Sequence, residues 1–200
     1  MIAVTKGRML EESLALFEKI GLNCPAALSD KDDRRLVHDI PGSNVSIVLA
    51  KAADVLTYVE RGVCQLGIVG YDTILENGGN FTELADLRFS ACKFALAGYG
   101  AREIRTVASK YPNVAKQYFA KKGTDVDIIK IDGSVELAPL LNLADAIVDI
   151  VQSGGTLKAN GLQILDDIVP VSARLIANSA ALRLKKDEIA ALTDKISAEV

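Results

Sequence analysis

Residues 133–162 read GSVELAPLLNLADAIVDIVQSGGTLKANGL. At the centre of this stretch, Ala146-Ile147-Val148-Asp149-Ile150-Val151 is apolar and β-branched, and Gln152-Ser153-Gly154-Gly155-Thr156 stops it. Such a run predicts a buried parallel strand. The following Thr156-Leu157-Lys158-Ala159-Asn160 starts like a short helix. A strand, a glycine-rich turn and a helix start gather backbone N–H groups that lack intrahelical acceptors, in a place where the helix dipole adds positive potential. An anion fits there without a dedicated cation. Gly154 and Gly155 let the backbone approach it, and the hydroxyls of Ser153 and Thr156 add donors. Asp149 leaves the strand just before the loop, where a carboxylate accepts hydrogen bonds from sugar hydroxyls. The stretch therefore reads as a cradle for ribose 5-phosphate, with a plain βα turn as the alternative.

Working outward, 200 residues of which half are apolar make one large domain or two small ones with a substantial core. The net charge of −3 gives no basic footprint, so no nucleic-acid partner is expected. Cys24, Cys64 and Cys92 are odd in number and form no CxxC pair, and they read as reduced thiols, mostly core. No charged-then-apolar leader opens the chain, and no apolar run approaches a membrane span. The expectation is a soluble, cytoplasmic protein with no membrane partner.

Met1-Ile2-Ala3-Val4 predicts a strand that runs into Thr5-Lys6-Gly7-Arg8, and Leu10, Leu14, Phe17 and Ile20 then recur at helical spacing until Gly21. Lys6 and Arg8 flank a glycine at the C-terminal end of that strand, where open α/β sheets hold their ligands, which favours a polyanion. Residues 28–36, LSDKDDRRL, form a mixed-charge loop leading into a strand-like segment at 36–40, from which Arg34 or Arg35 can project into a cleft. His38, the one histidine, is set aside as structural. Strands at 45–49 and 66–69 alternate with helices at 55–61 and 71–76, and Lys51 falls in a helix-start signal. This order predicts a parallel sheet covered on both faces. A strand at 94–96 carries the chain into a second lobe, with strands at 106–108 and 126–131 and helices at 112–121 and 135–143. Residues 164–178 return as extended chain to the first lobe, and one helix, 185–200, follows. Lobe I is thus expected over 1–90 plus 171–200 and lobe II over 91–170, with a ligand cleft between them.

The run D-I-V-Q-S-G-G-T at 149–156 resembles the D-x-x-x-T-G-G-T phosphoribosyl-pyrophosphate loop. It has neither the Gly-Lys-Ser/Thr ending of a Walker A loop nor the G-x-G-x-x-G of a dinucleotide fold. Further segments fall in order: T-K-G-R-M-L-E-E, D-V-L-T-Y-V-E-R-G, L-G-I-V-G-Y-D-T-I-L-E, K-Y-P-N-V-A, E-L-A-P-L-L-N-L-A-D-A-I-V-D-I-V and T-L-K-A-N-G-L. On these segments, which span nearly the whole chain, the sequence resembles the ATP phosphoribosyltransferase family in its short form.

The resemblance implies an α/β, two-lobed fold like the type II periplasmic binding proteins. It also implies attack of N1 of ATP on C1 of phosphoribosyl pyrophosphate, releasing pyrophosphate in the first step of histidine biosynthesis. The transition state of such a transfer is oxocarbenium-like, so catalysis needs cations aimed at the departing pyrophosphate rather than a strong base. Lys6, Arg8, Arg34 and Lys51 are the candidates, on the ATP and pyrophosphate side in lobe I. In lobe II, Gln152, Ser153, Gly154, Gly155 and Thr156 are expected at the 5-phosphate, and Glu136 and Asp149 at the ribose hydroxyls. Mg²⁺ is the implied cofactor, carried by pyrophosphate with Asp149 as a candidate ligand. The short form is expected to lack the regulatory domain of longer members, which implies a histidyl-tRNA-synthetase-like regulatory subunit in a hetero-oligomer. The chain departs from the family pattern at Leu56 (proline), Gln65 (acidic), Tyr71 (lysine) and Asn142 (glycine), with Gln65 and Tyr71 expected to compensate one another. Two alternatives are a non-catalytic two-lobed solute-binding module and a phosphoribosyltransferase for another acceptor.

Overall fold

A computed structural model of the chain describes residues 1–30, 32–100 and 103–200; Lys31 of the mixed-charge run lies outside them. The chain forms two compact units, one of Met1–Ser90 with Ser172–Val200 and one of Ala91–Val171. Val171 belongs to the second unit, one residue beyond the expected boundary, because it ends a strand of that unit's sheet.

Strand β1 (Ile2–Thr5) passes through Lys6-Gly7 into α1 (Arg8–Lys19), which buries Leu10, Leu14, Leu16 and Phe17. Gly7 makes the turn at φ 92°, a backbone that side chains resist. Next come β2 (Val37–Asp39), β3 (Ser46–Ala50), α2 (Ala52–Glu60), β4 (Leu66–Gly70) and α3 (Tyr71–Asn77). A strand that the sequence did not announce, β5 (Thr82–Asp86), is short, polar and mostly exposed, so neither alternation nor an apolar run marks it.

The second unit begins with β6 (Cys92–Gly98), β7 (Thr106–Ser109), α4 (Pro112–Lys122) and β8 (Asp127–Lys130). It continues through α5 (Leu137–Leu140), β9 (Ala146–Val151), α6 (Gly155–Ala159) and β10 (Gln163–Val171). Its five strands lie in the order β10-β6-β9-β7-β8. The apolar run that decides the fold is thus the middle strand, as its composition requires. β9 is parallel to β7 but antiparallel to β6, so the expected parallel sheet is a mixed one. The helix expected over 135–143 shrinks to the four residues of α5. Pro139 has no N–H to give, and Asn142 turns the chain at φ 55°. Leu143 N donates to Ala138 O at 2.8 Å and Asn142 N to Pro139 O at 3.1 Å, the paired bonds of a Schellman helix stop. Asparagine tolerates this left-handed position, which accounts for its standing where the family has glycine.

Back in the first unit, β11 (Ala173–Ala177), α7 (Ser179–Leu184) and α8 (Lys186–Ser197) close the chain, two helices where one was expected. The break falls at Lys185, and Asn178 caps α7 by accepting from Ala180 N at 3.0 Å and Ala181 N at 2.9 Å. The sheet order is β2-β3-β1-β4-β11-β5. Only β1, β3 and β4 run parallel; β2 pairs antiparallel with β3, and β11 with β4 and β5. Helix α2 presses close on β4: a Cβ on Gly67 would come within 2.8 Å of both Val55 Cγ1 and Val59 Cγ2. Among the described residues no helix is long and apolar enough to cross a membrane.

Candidate functional site

In the second unit, β9 delivers Asp149 as its fourth residue, half-buried and level with Ala95 of β6. Ile150 and Val151 still lie between it and the loop, so Asp149 sits inside the strand rather than at its exit. Gly154 turns the chain at φ 74° and α6 begins at Gly155. The first helical bond runs from Lys158 N to Gly154 O, 3.0 Å, so the amides before it have no acceptor within the helix. Ser153 Oγ accepts from Gly155 N at 3.4 Å, folding that hydroxyl back over the turn. Glu136, Asp149, Gln152, Ser153, Gly154, Gly155 and Thr156 together line one pocket of about 230 Å³. Burial pushes the Asp149 carboxyl above its ordinary range, and the charge of Glu136 adds to this, against the Ile150 N–H and the ammonium of Lys110. That lysine was passed over in the sequence. Its signal was available: it stands between a strand and a helix, as Lys6 and Lys51 do.

In the first unit, Thr5 of β1 is in register with Ala50 of β3, which sets Lys6 and Lys51 side by side at the C-terminal edge of the sheet. Lys6 and Arg34 line a cavity of about 600 Å³ whose floor is Leu10, Leu14, Leu28, Leu36 and Leu49. Arg8, at the start of α1, and Lys51, at the N-cap of α2, are exposed near the same edge but outside that cavity's lining. Of the two candidate arginines, Arg35 is engaged by Asp33, with Nη2 at 2.5 Å and Nε at 3.0 Å from Oδ2. The Arg35 hydrogen bonds hold the Asp33 carboxyl down at about 2. Arg34 makes no salt bridge among the described residues. His38 is buried with Nε2 3.2 Å from Arg35 O, a structural contact.

Tyr71 opens α3 at the C-terminal end of β4, and the guanidinium of Arg174 lies 4.5 Å from its ring centroid. Arg174 in turn pairs with Asp86 and stands 3.5 Å from Glu83. The expected compensation between Tyr71 and Gln65 does not occur, because the two flank opposite ends of β4. Gln65 instead accepts from the Met1 amine at 2.6 Å. Leu56 is buried on α2 among the residues packed against the sheet.

Two α/β units of this kind make a two-lobed fold like that of the type II periplasmic binding proteins. The periplasmic aliphatic sulphonate binding protein SsuA from Escherichia coli has this fold, with a TM-score of 0.60 at 15% identity over 98% of this chain and 67% of its own. The likeness to an ATP phosphoribosyl transferase (HisG:HisZ) complex from Thermotoga maritima is greater: TM-score 0.83 and 30% identity, covering 98% of this chain and 96% of that one. An ATP phosphoribosyltransferase of Clostridium kluyveri is 50% identical over 205 residues, 100% of this chain and 93% of the relative. Another from Clostridium acetobutylicum is 51% identical over 201 residues, 98% of this chain and 93% of the relative. The sequence model of HisG, ATP phosphoribosyltransferase, matches residues 51–198. The chain belongs to the ATP phosphoribosyltransferase family.

Proposed function

We propose that the chain carries out its family's reaction with the work divided between its units: the second holds the sugar phosphate, the first serves ATP and the departing pyrophosphate. The reaction is transfer of phosphoribosyl from phosphoribosyl pyrophosphate to N1 of ATP, the first step of histidine biosynthesis. One observation carries this division, the convergence of Glu136, Asp149 and the 152–156 loop on a single pocket of about 230 Å³. The loop amides and the Thr156 hydroxyl take the 5-phosphate, and Glu136 and Asp149 take the ribose hydroxyls. The larger cavity of the first unit has apolar leucines suited to a purine and a mixed-charge rim, in which Lys6 and Arg34 stand with Arg35, Glu11, Asp30 and Asp33 and are the cations for phosphates. Lys6 and Arg34 there, with Arg8 and Lys51 near the same sheet edge, stabilise charge growing on pyrophosphate as the bond to C1 lengthens.

Mg²⁺ fits this chemistry. Among the described residues no three His, Cys, Asp or Glu side chains gather into a metal cage. Two carboxylates beside an anion site suit a hard cation that takes most of its ligands from phosphate oxygens and water. Glu136 and Asp149 would hold it, and when bound it supplies charge neutralisation on the diphosphate.

The assembly we propose is a hetero-oligomer with a histidyl-tRNA-synthetase-like regulatory subunit; the two-component Thermotoga maritima relative supports it. A cytoplasmic setting is consistent with the absence of any disulfide among Cys24, Cys64 and Cys92. The decisive experiment mixes the chain with ATP, phosphoribosyl pyrophosphate, Mg²⁺ and the regulatory subunit and follows phosphoribosyl-ATP by absorbance. Product formation with ATP supports the reading. Pyrophosphate release with a different acceptor only, or binding of a solute without turnover, overturns it.

A further inference from the structure

We propose that Lys110 is a substrate-binding residue of the sugar-phosphate pocket, the cation that allows a polyanion to sit beside Glu136 and Asp149; the inference rests on the phosphoribosyl reading above. The pocket is lined by those two carboxylates and by no lysine or arginine. Beside the Mg²⁺ proposed above and the loop amides, a sugar bearing a phosphate and a diphosphate would find no cationic side chain in that lining.

Lys110 follows β7, whose Ser109 is in register with Val148 of β9, so it comes level with Asp149. Its backbone is fixed on both flanks. Ser109 Oγ donates to Val148 O at 2.6 Å and accepts from Tyr111 N at 2.9 Å, which ties the turn to the strand that bears Asp149. The Tyr111 ring packs edge-on against Phe94 with centroids 4.9 Å apart, and Pro112 starts α4. The Lys110 side chain is exposed and makes no salt bridge among the described residues. A fixed stem level with Asp149, bearing an ammonium without a salt bridge, suits an incoming diphosphate.

Calorimetric titration of the full chain, with Mg²⁺ present, by phosphoribosyl pyrophosphate and separately by ribose 5-phosphate tests this. Lys110→Gln is expected to weaken phosphoribosyl pyrophosphate about 10- to 100-fold, and ribose 5-phosphate less, with the loss shrinking as salt is raised. Lys110→Arg keeps the charge and is expected to stay within about threefold of the parent protein. Lys130→Gln, in the same unit, leaves both affinities unchanged. Equal affinity of the parent and Lys110→Gln for phosphoribosyl pyrophosphate overturns the proposal. Binding lost in Asp149→Asn but kept in Lys110→Gln defeats Lys110 while sparing the phosphoribosyl reading; a parent protein that binds neither ligand defeats both.

Discussion

In the first unit the proposed ligand-binding charges are on long side chains: Lys6 and Arg34 are exposed in a cavity lined by leucines, and their neighbour Arg35 is spent on Asp33. In the second unit the proposed anion-binding groups are backbone amides of a glycine turn, and the charged side chains in the lining are both acids. The first arrangement is mobile, screened by salt and dependent on residue identity. The second is preorganised, costs little to hold and depends on φ angles rather than on side chains. Vulnerability to substitution should therefore differ in kind between the units.

The contrast is broken most directly in the first unit. Lys6→Gln or Arg34→Gln is expected to lower turnover by on the order of 10²–10³, with thermal unfolding unchanged. Steady-state kinetics that found both within a few-fold of the parent would remove transition-state cations from that unit.

Asp149→Asn is next, with two readouts of opposite sign. The loss of a charged hydrogen-bond acceptor should raise the KM for phosphoribosyl pyrophosphate about 10- to 100-fold. Stability should rise. In the folded chain burial and Glu136 lift the carboxyl above its unfolded value, so the folded state holds its proton more tightly. Stability is then greatest below the ordinary titration range and declines as pH climbs through the raised value. The gain in Tm from the amide is expected at neutral pH and should vanish in acid, which melting curves across pH would check.

Gly154→Ala probes the backbone half. At φ 74° it should cost about 1–2 kcal/mol of stability and weaken the sugar phosphate in urea and binding titrations alike. An unaltered affinity would mean that the turn is only a turn. Smallest of all, Lys93→Gln removes an exposed pair with Asp167 at 2.7 Å and should shift unfolding by less than about 0.5 kcal/mol.

What the sequence made legible was local. The β9 run, its glycine stop and the start of α6 are contiguous, so local composition was enough to mark the strand–turn–helix whose residues line one pocket. Lys6 is singled out by its place at a strand end and Lys51 by the family resemblance. Long-range pairing was not legible. Nothing in the β6 residues says that this strand lies antiparallel between β9 and β10, and the polar β5 carries no pattern at all. The place of Lys110 between a strand and a helix was legible, but its being level with Asp149 exists only through the β7–β9 register. Arg34 is chosen over Arg35 by the family resemblance; the hydrogen bond that engages Arg35 with Asp33 is something spacing cannot reveal. The premature end of α5 could have been anticipated from Pro139, but helical periodicity in the leucines outweighed it.

Gly67 lines neither of the pockets described above, yet it sets how near α2 lies to the sheet, and Lys51 occupies the N-cap position of that helix. One methyl group there would wedge two valines outward and tilt the rod they belong to. The ammonium at its tip would be displaced with it. A buried hydrogen atom at this position is therefore a spacer for a distant charge, and selection on chemistry would reach it through geometry alone.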